Sequence, residues 1–404
     1  MNKKFLTLLL GAAFALSFLG SANMAAASIS TNQANYTIGI VYSTGGLGDQ
    51  SFNDAAKVGI DAAVAEHGTA LEVIQSCESG CTTIPDVTQA IIDMGDRTDK
   101  TFDLIIGVGF SAFDGINASA TAHPDTNYMI IDSVVDLANV HSVVFKEQEG
   151  SFLAGAMAAM TSQTHKIAFL GGLDIELINR FLAGYADGAA WIAKETGNAT
   201  TVAATYSPDP SNPWGDIDGG KRVGQAFIDA GYDIVYSAAG GTGLGAIDAV
   251  AEANTAAGSS KYFAIGVDSN QDGASKGDVL TSMIKRVDVA VKNDIDAIVA
   301  DSWKSGTTAL GLAENGVGIS DMQYTQAEAD AMFNSTKTRM QVIEGLTKLI
   351  VRGDIVVKSL KSEVTVKDFS LPTSQNSGDT IPLPNAGLFL GFLASIAVIV
   401  RRRE

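Results

Sequence analysis

The chain has 404 residues, 46% of them hydrophobic and 18% charged, with 42 glycines and 8 prolines. That is enough apolar side chain for two packed domains and excludes a largely disordered chain. A formal net charge of −18 excludes nucleic acid and anionic lipid as partners of the body, because both select basic surfaces.

The first residues have an export pattern. Lys3 and Lys4 precede an apolar run from Phe5 to Leu19, and Met24-Ala25-Ala26-Ala27-Ser28 supplies small residues for cleavage near Ala27, so residues 1–27 are expected to be a signal peptide. The run is short for a membrane span. No cysteine stands at the cleavage site, so lipid modification there is not expected.

Strand-like and helix-like segments then alternate. Tyr36 to Tyr42 predicts a strand, followed by a glycine-rich loop and a helix from Asn53 to His67. Leu71 to Gln75 predicts a strand, Val87 to Met94 the start of a helix, and Phe102 to Val108, Asn127 to Ile131 and Val140 to Phe145 three further strands. Gly150 to Thr161 predicts a helix, after which the rhythm restarts. Strands are expected at Lys166 to Leu170, Thr200 to Tyr206, Ile234 to Ala238, Phe263 to Val267 and Val279 to Met283. Helices are expected at Ile178 to Glu195, Gly219 to Ala230, Ile247 to Thr255 and Val287 to Trp303. Alternation of this kind, with near-continuous apolar strands, predicts an α/β chain of two lobes, each a doubly wound parallel sheet.

The chain closes on a polar stretch, Thr373 to Thr380, then an uncharged run from Ala386 to Val400 and Arg401, Arg402 and Arg403. Residues 370–382 are expected to be a spacer and residues 383–404 a transmembrane or sorting tail, with the arginines on the cytoplasmic side. The tail resembles the C-terminal sorting signals of archaeal surface proteins, whether it is kept or processed. Cys77 and Cys81 are the only cysteines. Export favours a disulfide between them over a metal site, since the nearest histidine in sequence is His67. Sequons at Asn35, Asn117, Asn198 and Asn334 agree with exposure outside the cell.

In doubly wound sheets ligands bind beyond the carboxyl ends of the strands. Those positions hold Asp49, Phe52, Asn53, Phe110, Asp114, Asp132, Asp174, Arg180, Trp214, Gly240, Gly241, Asp268 and Lys285. Aromatic rings with carboxylates and cations suit a polar small molecule that carries a flat ring. Motifs for other chemistry are weak. Gly241-Thr-Gly243-Leu-Gly245-Ala246 matches a dinucleotide turn, but so glycine-rich a chain produces such matches by chance. Gly215 to Arg222 approaches a phosphate loop but has Arg222 where the magnesium-binding hydroxyl belongs. His67, His123, His141 and His165 fall in no catalytic or metal-binding frame. No catalytic residue, metal or cofactor is expected.

Several segments together resemble the basic membrane protein family of substrate-binding proteins, which includes purine nucleoside receptors. They are Gly45-Gly46-Leu47-Gly48-Asp49-Gln50-Ser51-Phe52-Asn53, Gly107 to Phe110, Glu147 to Gly155, Gly171 to Asp174 with Arg180 to Tyr185, Ala239 to Gly245, and Ile265 to Ser269 with Ser282 to Asp288. The resemblance implies a type I, ribose-binding-like periplasmic-binding-protein fold. One lobe would be 36–144 with 286–349, the other 145–285 with 350–369, joined by hinge crossovers. It implies a monomeric receptor of an ABC-type importer that binds a nucleoside and hands it to the permease. Asp49 and Asn53 would contact the base, Phe52 or Phe110 and Trp214 would stack on it, and Gly241 would offer backbone. Asp268 and Lys285 would bind ribose, with Asp132 a further polar contact. Gly48 and Trp214 depart from the family's usual residues, and a membrane tether would sit at the C-terminal end. A receptor for another sugar on the same fold, or an NAD-dependent or nucleoside-hydrolysing enzyme, are the other readings.

Overall fold

The computed structural model describes residues 36–79 and 81–372. The expected signal peptide, most of the spacer and the C-terminal tail lie outside the described residues. Among the described residues no helix is long and apolar enough to cross a membrane.

The first series runs β1 (Tyr36–Val41), α1 (Phe52–His67), β2 (Leu71–Ser76), α2 (Ile84–Gly95), β3 (Leu104–Gly107), α3 (Phe113–Ala122), β4 (Asn127–Ile131) and β5 (Val140–Phe145). After α4 (Glu147–Thr161) comes the second: β6 (Lys166–Gly171), α5 (Glu176–Thr196), β7 (Thr201–Tyr206), α6 (Ile217–Asp229), β8 (Ile234–Ala238), α7 (Gly241–Ala257), β9 (Phe263–Asp268) and β10 (Val279–Lys285). The remainder is α8 (Val287–Val299), β11 (Gly306–Leu310), β12 (Val317–Ile319), α9 (Gln326–Asp330), α10 (Arg339–Val351) and β13 (Lys367–Asp368).

Two sheets result. One has the order β11-β5-β4-β3-β1-β2, the other β12-β10-β9-β8-β6-β7-β13. Every pairing is parallel except β10 with β12. The central strands are buried along nearly their whole length, as the continuous apolar runs require when helices cover both faces. Helix ends follow local chemistry. Thr83 and Asp86 form a reciprocal cap at the start of α2, and Gly197, in the left-handed region at φ 76°, ends α5,. Cys77 and Cys81 form a disulfide, with Cα atoms 4.9 Å apart, and Asn117, Asn198 and Asn334 are exposed.

The chain passes between the sheets three times: from β5 to α4, from β10 to α8, and from β11 to β12. The crossings lie side by side, since Lys146 donates its N–H to the Leu310 carbonyl and Arg286 donates to that of Gly316, both at 2.9 Å. This corrects the expectation that 286–349 stays with the first sheet. Only the part up to Leu310 does so. From Val317 the chain joins the second sheet, where β12 pairs with β10 and α10 packs on α4. A three-residue strand in a glycine-containing stretch leaves no periodicity to read. At the far edge β13 pairs with β7, and Phe369 packs on Phe227 with ring centroids 4.3 Å apart.

The glycine-rich match at 241–246 is helix, not turn. α7 starts at Gly241, six residues before the expected Ile247. A Cβ at Gly245 would lie 1.9 Å from the Ile217 carbonyl oxygen, so glycine is there to let α6 and α7 touch. The same device joins α4 to α5, where a Cβ at Gly155 would lie 2.0 Å from the Tyr185 carbonyl oxygen. Gly155→Ala must therefore push two buried helices apart. It is expected to lower the unfolding free energy by about 1–3 kcal/mol, as overpacking does, measured by denaturant titration against the parent chain.

Candidate functional site

The carboxyl ends of both sheets converge on one cavity of about 550 Å³, its open mouth included. Asp49, Phe52, Asn53, Phe110, Asp132, Trp214, Asp268 and Lys285 all line it. Gly241 does not; Gly240 stands there instead. Gly241 is the first residue of α7, with its Cα turned toward the Trp214 carbonyl, 3.0 Å from where a Cβ would sit. Lining residues that the sequence reading did not single out include Ser43, Thr44, Leu177, Ile178 and Phe181.

The cavity has two chemical ends. At one, the half-buried rings of Trp214 and Phe110 meet edge to face, centroids 6.3 Å apart and planes at 65°. Trp214 has a definite seat: a Cβ at Gly172 would lie 2.0 Å from its ring, so the indole lies flat on the turn after β6. Phe52, Leu177, Ile178 and Phe181 continue the apolar wall.

At the other end, Lys285 closes β10 with only 2% of its side chain exposed. Its Nζ donates to Asp132 Oδ2 at 2.6 Å and lies 3.1 Å from Glu147 Oε1. The rings of Phe52, Phe145 and Phe181 surround it at 5.1, 5.1 and 5.5 Å, where their faces attract a cation. Burial opposes the ammonium charge, but Asp132, Glu147 and Asp268 outweigh it and hold the lysine pKa above its usual value. Asp268 is pushed up to about 6 by burial, with Lys285 and the Ser51 hydroxyl acting in the opposite direction. Asp132 and Asp268 both follow or end a strand at φ 63°. In that left-handed conformation, which aspartate tolerates, each lines the cavity. Asp132 Oδ1 is buried without a hydrogen-bond partner.

Asp49 and Asn53 hold the loop more than the cavity. The Asp49 carboxylate accepts from the N–H groups of Ser51 (2.8 Å), Asn53 (2.9 Å) and Asp54 (3.2 Å) and from Asn53 Nδ2 (3.3 Å). These four bonds occupy most of a carboxylate's acceptor directions, so Asp49 caps α1 from a position that also lines the cavity. Burial still raises its pKa, opposed by those backbone donors. Asn53 Oδ1 accepts from the Ser43 N–H at 2.9 Å, which ties α1 to the end of β1.

The two sheet units are closed on each other across the cavity. Ser51 Oγ donates to Asp268 Oδ2 at 2.7 Å, Ser269 Oγ to the Ser51 carbonyl at 3.0 Å, and Gln271 Nε2 to the Gln50 carbonyl at 3.0 Å. His67, His123 and His141 pair with Asp296, Asp96 and Asp294 away from the cavity. Glu147 is fully buried behind Lys285 and is not among the residues that the sequence marks as site candidates. Nothing local in the sequence marks it, because its meaning comes from Lys285, 138 positions further along the chain by number.

Known proteins resemble this chain over the same region. A family model described as "ABC transporter substrate-binding protein PnrA-like" matches residues 37–360. The "ABC transporter nucleoside-binding protein BmpA" of Lactococcus lactis is 30% identical over 321 residues, which cover 76% of this chain and 86% of that protein. An uncharacterized lipoprotein of Pyrococcus abyssi is 31% identical over 307 residues, covering 74% and 72%. Among solved structures, an ABC transporter solute-binding protein from Aeropyrum pernix superposes with a TM-score of 0.68 at 28% identity, over 80% of this chain and 93% of that one. Two parallel sheets closed over a cavity, three crossings and a family match through residue 360 agree: the chain belongs to the Bmp family of PnrA-like ABC transporter substrate-binding proteins and has their type I periplasmic-binding fold.

Proposed function

We propose that this chain captures a nucleoside between its lobes and delivers it to the permease of an importer. The observation that carries the reading is the division of the cavity, with rings at one end and a buried lysine and two aspartates at the other. A base stacks on Trp214 and Phe110 while Asp268 and Asp132 accept from ribose hydroxyls and Lys285 donates to a ribose oxygen. Because Asp49 is mostly spent on α1, the base is held by stacking and by the remaining N–H of Asn53 rather than by a carboxylate. The L. lactis relative, named for nucleoside binding, supports the same ligand class. No catalytic step is assigned. Attachment to the outer face of the membrane through residues 383–404 belongs to the proposal and rests on their sequence pattern.

Calorimetry with inosine, guanosine, adenosine and cytidine tests the ligand class, and a folded protein that binds none of them refutes it. Stronger binding of free ribose than of any nucleoside would select the sugar-receptor reading. Asp268→Ala is expected to weaken nucleoside binding about 10–100-fold or more, since hydrogen bonds to a charged acceptor contribute ~1.5–3 kcal/mol each; unchanged affinity removes Asp268 from the site. Asp49→Ala is expected to act on stability instead. It should lower the unfolding free energy by ~1–2 kcal/mol through the lost helix cap and leave the order of preference among the four nucleosides unchanged.

A further inference from the structure

Glu147 is the first residue of α4, one position past the crossing from β5. It is wholly buried, and neither carboxylate oxygen has a hydrogen-bond partner. It does not line the ligand cavity. An isolated buried carboxylate is costly, so its surroundings must account for it.

The groups that face it can be named element by element. Lys285 of β10 lies at 3.1 Å and Arg180 of α5 at 3.8 Å. Asp132, after β4, adds a like charge, and Tyr236 of β8 and Asp268 of β9 lie beyond, the first sensing both carboxylates and the second sharing Lys285. On α4 itself Glu149 is turned to Lys146 and the Leu312 N–H. β12 carries no titratable residue, and Glu344 and Lys348 of α10 are exposed. Three buried carboxylates thus surround Lys285, and Arg180 at the rim is a second, more distant cation beside Glu147.

An ammonium has three N–H donors. In Lys285 one is bonded to Asp132 and the pull of Glu147 takes a second direction, away from the cavity. The third is left for a ligand. We propose that Glu147 is a positioning residue for ligand binding: from behind Lys285 it holds the ammonium so that one N–H points into the cavity, and its protonation releases that hold, so that affinity falls as the medium turns acid. Burial, with the like charge of Asp132, pushes Glu147 up to about 7 against the opposing pull of Lys285, so the release falls within the ordinary pH range. The sign follows: the charged form, which holds Lys285, dominates above that value and is lost below it.

The ligand part of the proposal rests on the nucleoside reading above, so two measurements are combined. The first is inosine affinity by calorimetry at pH 6.5, 7.5 and 8.5 for the protein and for Glu147→Gln, which keeps the side-chain shape. The parent protein should weaken about 3–4-fold from pH 8.5 to 6.5, as one linked proton on a group titrating near 7 allows,. Glu147→Gln should bind about 10-fold more weakly at pH 8.5 and be nearly independent of pH down to 6.5, above the Asp268 transition. A variant with the parent's affinity and pH profile overturns the proposal. The second measurement needs no ligand: the 15Nζ resonance of Lys285, assigned through Lys285→Met. It should move with pH around neutrality in the parent and lose that transition in Glu147→Gln. If no nucleoside binds but this transition is present, the ligand reading fails and the positioning role stands. If the resonance titrates identically in both proteins, the positioning role fails.

Discussion

A lysine ammonium with 2% of its side chain exposed is the constraint on which the rest of the cavity depends. Removing such a charge from water costs several kcal/mol, and the cost is met only by closely placed counter-charges. Here they come from separate parts of the chain: Asp132 after β4, Glu147 at the first crossing, Asp268 at the end of β9. One of these acids sits on the first sheet, one on the second, and one on the link between them. The arrangement of charge around Lys285 therefore draws on both sheet units and on the link between them. Replacing the cluster by apolar side chains would stabilise many folds; retaining it points to a binding role rather than a structural one.

The contacts that close the units are few and mostly polar. Ser51, Ser269, Gln50 and Gln271 supply hydrogen bonds at the rim, and Phe110 meets Trp214 within the cavity. Such an interface is of the modest kind that allows neighbouring domains to separate, and three adjacent crossings form a natural hinge. A ligand that adds stacking to Trp214 and Phe110 and hydrogen bonds to Asp132, Asp268 and Lys285 contributes to closure from both sides at once. The closed state is then favoured by the differential contacts of the ligand, which is what a capture mechanism needs.

Much of this was legible in the sequence, for identifiable reasons. Strands buried on both faces are continuous apolar runs, so β4, β5 and β8 were predicted with the bounds they have. The strand ends and the turns after them pointed to Asp132, Trp214, Asp268 and Lys285 as neighbours, because topology sets where a cavity forms in such sheets, and all four line it. What was not legible depends on tertiary contacts. The glycines of α7 looked like a loop, since their purpose is the approach of α6. β11 is an exposed edge strand without an apolar run, and β12 and β13 are edge strands of three and two residues, too short for a periodic signal. The capping role of Asp49 was hidden because an aspartate before a helix can serve a cap or a ligand, and only the four donors around it reveal the cap. Glu147 was silent because a buried acid is identified by its partner, and sequence does not place Lys285 beside it.

The two sheet units repeat each other, and the repeat shows where the asymmetry of the cavity arises. In strand order β1 to β5 correspond to β6 to β10. Asp132 and Asp268 follow or end the fourth strand of each series at the same φ of 63°. Phe52 and Phe181 lie on the helices that follow the first strands. The correspondence breaks at the end of the fifth strand. β5 ends on Phe145 and α4 begins with Glu147 two residues later, while β10 ends on Lys285 and α8 begins with Val287 two residues later. Phe145 and Lys285 are thus equivalent positions whose side chains meet, ring to ammonium, at 5.1 Å. Glu147 is equivalent to Val287. With Phe and Val at both fifth-strand ends, the twin aspartates would face each other across an apolar gap with no cation between them. One lysine, at the position of Phe145, and one glutamate, at the position of Val287, supply the cation and fix its direction. The polar end of the cavity is therefore a local departure from symmetry at two crossings, and those crossings are also segments that join the two sheet units.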